Sequence, residues 1–435
     1  MPRLAPRGIA ALLGIAVLAF VLGHVLAWPL ALLVVALLFA ALVAYDLAAL
    51  RGEVAFARLP PPRLILARRD AFGYEIVNRS ARARRIALVE APAPRLAIDV
   101  EEARALVPPR SRAVVRVGIV PRERGRTALR SFHVRITSML GIVELRRNLI
   151  APIDLRIGPD LSALDRSGDL VARTKLLEAG LRRLRRRGTG GDFGSLREYG
   201  PDDNFRAIDW KASARRGRAL VMEFEVERSQ QIVIALDAGR LMTPRLGAVR
   251  KLDYAVSAAL AIAAIARLAA DRVGVTAFAA TTLARLAPGS GATHAARLFD
   301  ALSDLEPHFE ESDYERAFLE LEKTLRKRSL IVLFTDLFDP VASAAVLGAA
   351  QLLVRRHLVL VVLMNDAAVA EALRREPHAV EDAYRAAVAA TLAEERARCV
   401  AQLQQRGILV VDVPAAELTV ALLDAYVEIK TRGLL

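Results

Sequence analysis

Three stretches of the sequence place oxygen-bearing side chains directly after an apolar run. Asp237 closes "QIVIALD", Thr335 and Asp336 close "SLIVLFTD", and Asn365 and Asp366 end "LVLVVLMND". In open α/β sheets ligands bind outside the carboxyl ends of the strands, so carboxylates and hydroxyls delivered there could hold Mg²⁺ or Ca²⁺ through oxygen. A second concentration of polar chemistry lies at 188–218, "GTGGDFGSLREYGPDDNFRAIDWKASARRGR". Asp192, Glu198, Asp202, Asp203 and Asp209 alternate there with Arg197, Arg206, Lys211, Arg215 and Arg216, and Phe193, Tyr199, Phe205 and Trp210 are set among them. Such interleaving can fold as a web of bidentate arginine–carboxylate bonds pinned by aromatic anchors. Neighbouring arginines hold the acids ionised, which suits a structural clasp or a partner surface better than general acid work.

Other chemistries lack their residues. There is no G-x-x-x-x-G-K-[ST] phosphate loop, no G-x-S-x-G elbow and no H-E-x-x-H pair. The glycines of "GTGGDFG" are misplaced for a dinucleotide loop and follow an arginine run, not a strand. The 6 histidines are scattered, and the single cysteine, Cys399, excludes disulfides and cysteine-based zinc sites within the chain. With 62 Lys and Arg against 48 Asp and Glu, the net charge of +14 fits nucleic acid, an anionic membrane or an acidic partner. Aromatics are only 5% of the chain and are not interleaved with basic stretches, which disfavours nucleic acid. No catalytic constellation is visible, so the expected protein is not an enzyme.

The elements that must position these residues follow from pattern. From about 230 onward, fully apolar strands alternate with Ala- and Leu-rich helical stretches, which predicts an α/β domain at 229–435 with a doubly wound, mostly parallel sheet. The short "TTLARL" could add an antiparallel edge. Residues 51–158 show short period-two runs broken by Pro, Arg and Gly, the pattern of a small β-sandwich. Residues 159–228 read as a helical linker, ending in "RRLRRR" at 182–187, and the clasp. That arginine run is either a solvated helix end or a contact for anionic lipid. At the N-terminus nothing from Gly8 to Tyr45 is charged. A hairpin of two spans, about 8–27 and 30–50, turning at Trp28-Pro29, fits this better than a cleaved signal peptide. Asp46 falls near the inner end of the second span, where it can reach the interface. Arg3 and Arg7 precede the hairpin and Arg51, Arg58, Arg63, Arg68 and Arg69 follow it, so the positive-inside rule places both termini and the body in the cytoplasm.

One stretch carries a family resemblance. "LREYGPDDNFRAIDWKASARRGRALVMEFEVE", 196–227, resembles the signature of the DUF58 family of membrane-anchored bacterial proteins, approximately L-R-x-Y-x-x-G-D-D-x-R-x-I-D-W-x-x-x-A-R. Leu196, Arg197, Tyr199, Asp202, Asp203, Arg206, Ile208, Asp209, Trp210, Ala214 and Arg215 match it, while Pro201 replaces the usual glycine. The resemblance implies a von Willebrand factor A-like C-terminal domain, an inner-membrane location and a MoxR-type AAA+ ATPase as partner. It also implies a metal site: a D-x-S-x-S after the first strand, a later Thr, and a second Asp. Asp237 and Asp336 match the acids, and Ser312 in "EESDYERAF" stands in for the Thr, but Gly239 and Leu241 replace the serines. At most weak Mg²⁺ binding is then expected, with Arg240 supplying a cation to Asp237 or Asp336 instead. The expected function is an interaction or adaptor protein whose contacts include Arg197, Glu198, Tyr199 and Trp210; the alternative is a metal-dependent binding or hydrolytic module at the sheet rim.

Overall fold

The computed structural model describes residues 2–23, 28–59, 63–98, 102–162, 192–200, 205, 208–225, 230–337 and 340–435. The chain divides into two compact units, Met1–Gly158 and Pro159–Leu435.

The first unit opens with a short strand, β1 (Pro2–Leu4), and two helices, α1 (Pro6–Gly23) and α2 (Trp28–Ala49). Trp28 and Pro29 begin α2 rather than forming the turn before it. In a first helical turn proline's missing N–H costs nothing. Among the described residues α2 is the one helix long and apolar enough to cross a membrane; the apolar stretch of α1, Arg7–Leu22, is shorter. At about 1.5 Å per residue α2 reaches about 33 Å, against a hydrocarbon core of about 30 Å.

Nine further strands complete the unit. They are β2 (Val54–Leu59), β3 (Leu64–Ile65), β4 (Asp70–Asn78), β5 (Arg84–Glu90) and β6 (Leu96–Ile98). Then come β7 (Ala103–Val107), β8 (Ser111–Pro121), β9 (Gly125–Thr137) and β10 (Val143–Gly158). One sheet runs β1-β10-β9-β5-β7 with β3 beside β10; the other runs β2-β4-β8-β6. The sheets meet at Phe132 of β9, whose ring lies 5.1 Å from Tyr74 of β4 and 6.4 Å from Phe56 of β2. Beside it, Arg58 of β2 pairs with Glu90 of β5 at 2.6 Å, both side chains almost fully buried. Burial pushes Glu90 up from the carboxylate range against the pull of Arg58, and pushes Arg58 down.

The end of α2 is fastened to this unit. Asp46 is wholly buried. One of its oxygens accepts from the Ser138 hydroxyl and from the N–H of Ile142 and Val143, and the other from the N–H of Leu140. Arg84 donates to the carbonyls of Ala49 and Arg51, satisfying groups that a helix end leaves open.

The second unit begins with β11 (Asp192–Glu198), α3 (Trp210–Arg216) and β12 (Leu220–Glu225). Next follow β13 (Gln231–Asp237), the two-residue strands β14 (Arg245–Leu246) and β15 (Val249–Arg250), α4 (Lys251–Leu268), β16 (Arg272–Phe278) and β17 (Thr282–Gly289). After them come α5 (Ala292–Ser303), α6 (Tyr314–Thr324), β18 (Ser329–Phe334), α7 (Pro340–Val354) and β19 (Leu358–Asn365). The chain ends with α8 (Ala367–Arg374), α9 (Val380–Gln405), β20 (Leu409–Pro414) and α10 (Leu418–Arg432).

The large sheet of this unit has the order β17-β16-β13-β18-β19-β20. Along β13, Ile232, Ile234 and Leu236 pack with α4, α5 and α10, while Val233 and Ala235 pack with α6 and α7. Apolar cover on both sides is why the strand is apolar at every position.

The expected fold class needs correction. The chain is not a doubly wound, mostly parallel sheet of von Willebrand factor A type behind one small domain. It is an assembly of mixed sheets with several small antiparallel ones: β11 with β12, β14 with β15, and β2-β4-β8-β6. The large sheet is itself mixed, because β17 runs antiparallel to β16. A uniformly apolar strand reports that both faces are covered, not which way its neighbours run. Direction depends on the connection, and the three residues 279–281 between β16 and β17 are too few for a crossover.

Candidate functional site

β13 delivers Asp237, wholly buried, to the carboxyl edge of the sheet. A carboxylate offers about four lone-pair sites, and neutral donors take them. Oδ1 accepts from the Gly239 N–H at 2.8 Å and from Ser312 Oγ; Oδ2 accepts from Tyr314 Oη at 2.6 Å and from Thr335 Oγ1 at 2.8 Å. Burial first, then the Asp237 carboxylate, push the Tyr314 phenol well above its ordinary range. It therefore stays a donor. Ser312 is held in place by its loop, where the N–H of His308 donates to Ala238 and the N–H of Arg240 to the carbonyl of Glu310. A Cβ at position 239 would lie 2.2 Å from Ser312 Oγ and 2.8 Å from the Glu310 oxygen. Glycine is thus required there, and a serine at 239 has no room.

Asp336, after β18, is also wholly buried, but its partners are cations. Oδ2 pairs with Nζ of Lys251; Oδ1 accepts from Arg396 at 2.7 Å and from the Leu337 N–H at 2.8 Å. Lys251, the first residue of α4, is 1% exposed. Arg396 of α9 also grips Asp412 of β20 through Nε at 3.0 Å and Nη2 at 2.9 Å. Burial alone would lower the Arg396 pKa, yet hydrogen bonding to Asp412 and the charges of Asp336 and Asp412 outweigh it and raise it.

The cation expected from Arg240 therefore comes from elsewhere. Arg240 is half-exposed and pairs with Glu311 at 2.6 Å. The reason is local: Arg240 starts a short turn, Arg240–Met242, whose side chain points along the surface, while Leu241 and Met242 fill the core. Asp366, the third acid of the edge, caps α8 by accepting from the Ala368 N–H at 2.9 Å. Among the described residues no group of three or more His, Cys, Asp and Glu is placed to hold a metal. A divalent ion would have to displace Lys251 from Asp336 and a hydroxyl from Asp237, and hard cations need about six oxygens. The residues present do not fit one.

The signature forms a second site. β11 and β12 pair antiparallel, Ile208 bridges to Val221, and α3 lies between them. Asp209 is the N-cap of α3, accepting from the N–H of Lys211 and Ala212 at 3.0 Å, and Gly217 closes the helix in the left-handed region at φ +67°. Ser213 ties the helix to β12: its hydroxyl donates to the Asp209 carbonyl at 2.6 Å and accepts from the Leu220 N–H at 2.8 Å. Asp209 is thus a cap rather than part of an ionic web. On the surface Glu198 pairs with Arg218, and Arg197 donates to the Glu198 carbonyl at 3.2 Å. Tyr199, Phe205 and Trp210 are not internal anchors. Trp210 is 60% exposed and Phe205 63%, their rings edge to face at 5.3 Å, and Tyr199 is exposed beside β11. Arg215 lies with Arg216 in the last turn of α3. Asp202, Asp203 and Arg206, like the arginine run 182–187, lie outside the described residues.

Removing the cap by Asp209→Ala is expected to cost about 1 kcal/mol, seen as a small fall in unfolding temperature of the full chain. An unchanged temperature would show that Ser213 and the β11–β12 pairing hold α3 without it.

Comparison with known proteins adds relatives of undefined role. The uncharacterized protein YeaD of Bacillus subtilis is 46% identical over 43 residues, 10% of this chain and 11% of that one. The uncharacterized protein Rv1480 of Mycobacterium tuberculosis is 24% identical over 181 residues, 41% of this chain and 56% of that one. The chain spans about half the length of the second relative and about a tenth of the first. Among solved structures, the PapD-like domain of human CEP192 matches with a TM-score of 0.19 at 13% identity, covering 24% of this chain and 84% of that one. A score so low carries no argument. Residues 195–398, from the signature through both carboxylates of the rim to α9, match the family described as "Protein of unknown function DUF58".

Proposed function

We propose that the protein is a membrane-anchored, non-enzymatic interaction protein whose signature surface engages another protein, with a MoxR-type AAA+ ATPase as the first partner to test. In this reading α1 and α2 form a hairpin in a bacterial inner membrane and the rest of the chain is cytoplasmic. The observation that carries it is the exposed pair Phe205 and Trp210 at the start of α3, a short helix whose last turn carries Arg215 and Arg216. Solvent-facing aromatics on a segment that also carries arginines have the composition of interface hot spots. The filled rim supports the same reading, since Asp237 and Asp336 spend their oxygens on the protein's own donors. For the anchor, α2 is long enough to span, and arginines flank the apolar region with none inside it.

Affinity purification from mildly solubilised membranes tests the proposal. The wild type is expected to recover an ATPase, and Phe205→Ala with Trp210→Ala to lose it while keeping the wild-type unfolding temperature. No ATPase with intact bait, or equal recovery by the double variant, overturns it. The competing reading is a metal-dependent module at the rim. Calorimetric titration with Mg²⁺, Ca²⁺ or Mn²⁺ is expected to show no saturable heat; saturable heat abolished by Asp237→Ala would restore that reading.

A further inference from the structure

The first unit carries a charged pocket of its own, whereas both sites described above belong to the second unit. It is an open pocket of about 580 Å³ lined by Arg7, Arg85, Arg104 and Arg135, by one acid, Glu144, and by apolar residues that include Ile86 and Ala105. We propose that this pocket binds the phosphate head group of an anionic phospholipid.

Its place in the fold makes the argument. Ala5 and Arg7, at the start of α1, form one wall, and Gly141 another. Gly141 belongs to the turn between β9 and β10 whose amides hold Asp46 of α2. The same turn meets the start of α1, through the Ala5 N–H donating to the Ile142 carbonyl at 2.8 Å. Gly141 has φ +76°, and a Cβ there would come within 3.1 Å of Arg7 Cδ, so the turn and the arginine stem are fitted closely. The two apolar helices therefore leave the unit from the rim of the pocket, and a bilayer crossed by α2 would set its head groups at that level.

Charge and exposure agree with that ligand. Glu102 pairs with Arg104 at 2.7 Å and with Arg135, and buried Glu144 lies 3.9 Å from Arg135. Four cations against these two acids leave an excess for a phosphodiester, and guanidinium groups bind phosphate oxygens bidentately. Leu106, which lines the pocket, and Met139, in the turn that contributes Gly141, are each 65% exposed, and Leu140 of that turn and Tyr45 of α2 are also exposed. Apolar side chains beside a basic pocket at the foot of a membrane helix suit a lipid rather than free phosphate. The guanidinium of Arg82 lies over the Tyr45 ring at 5.6 Å, adding a cation–π contact at the same level.

This proposal rests on the membrane reading above, and the experiment separates the two. Full-length protein in a neutral detergent is heated with dioctanoyl phosphatidylglycerol, dioctanoyl phosphatidylcholine or inorganic phosphate. Phosphatidylglycerol alone is expected to raise the unfolding temperature. Arg85→Gln with Arg104→Gln, both at exposed positions, is expected to weaken that response roughly tenfold in apparent affinity. An equal rise with phosphatidylcholine, a rise with phosphate alone, or a double variant that responds like the wild type overturns the site. Alkaline extraction of membranes checks the anchor separately. Wild type that stays in the pellet yet shows no phosphatidylglycerol effect sinks only the head-group site, whereas wild type released from the pellet sinks the membrane reading and the site with it.

Discussion

Replacing Lys251 by methionine is expected to lower the unfolding temperature of the second unit by roughly 6–20 °C. The estimate rests on the cost of breaking a buried ion pair by removing one partner, about 3–5 kcal/mol, and on about 2–4 °C per kcal/mol for a domain of this size. Lys251 is 1% exposed and Asp336 wholly buried, so no water can replace the lost ammonium. Arg396 remains on Oδ1, but it is shared with Asp412 and cannot cover Oδ2 as well. The cost comes from the stranded carboxylate, not from the pair as such. Adding Asp336→Asn removes that charge, leaves the Leu337 N–H its acceptor and leaves Arg396 its bonds to Asp412. The double variant should therefore recover more than half of the loss. Calorimetry of the full-length chain in detergent measures both. A double variant as unstable as Lys251→Met alone would show that the packing of the lysine stem, not its charge, holds α4 to β18.

The sequence showed some of this and hid the rest for identifiable reasons. Asp237 was legible because an apolar run ending in an acid leaves the acid at a strand end, and α2 was legible because 22 uncharged or nearly uncharged residues in one helix have few alternatives. Lys251 and Arg396 were not. They lie 85 and 60 residues from Asp336 along the chain, and a lysine or arginine in a helical pattern looks the same whether it faces water or a buried carboxylate. Asp46 carried a partial signal, an acid near the end of an apolar span. Its partners, however, are mostly backbone amides of a turn some 94 to 97 residues away, with one hydroxyl, Ser138, beside them, and amides have no sequence signature. Strand direction was legible only at one edge: "TTLARL" follows its neighbour too closely for a crossover and does run antiparallel to it, whereas apolarity elsewhere reports burial and not direction. At two positions of the signature the residue type left the disposition open: Asp209 suits a cap as well as an ion pair, and only packing shows that Trp210 faces outward.

A second buried pair yields a prediction with a pH sign. Asp271, between α4 and β16, accepts from Lys430 and from Tyr426 on α10, and from the Gln230 N–H at 3.0 Å. Tyr426 and Lys430 stand one turn apart, so α10 presents both donors to a single carboxylate. Burial pushes Asp271 up from the carboxylate range, although Lys430, Tyr426 and Gln230 pull the other way, and burial pushes Lys430 down. Lys430→Met removes the strongest of the downward pulls on Asp271, so its carboxyl rises further. A carboxyl raised in the folded state contributes stability that is present below its unfolded pKa, about 4, and is lost as pH rises through the folded value. The variant should therefore lose about 3–5 kcal/mol near pH 8, where it buries an unpaired carboxylate, and less than half of that near pH 5. In the wild type Lys430 holds the Asp271 carboxyl lower than in the variant, so less of this pH-dependent change falls between pH 5 and 8. Unfolding of wild type and variant compared from pH 5 to 8 measures the trend. A difference that stays constant across that range would mean that Lys430 acts through packing alone and that Asp271 is not the group its charge serves.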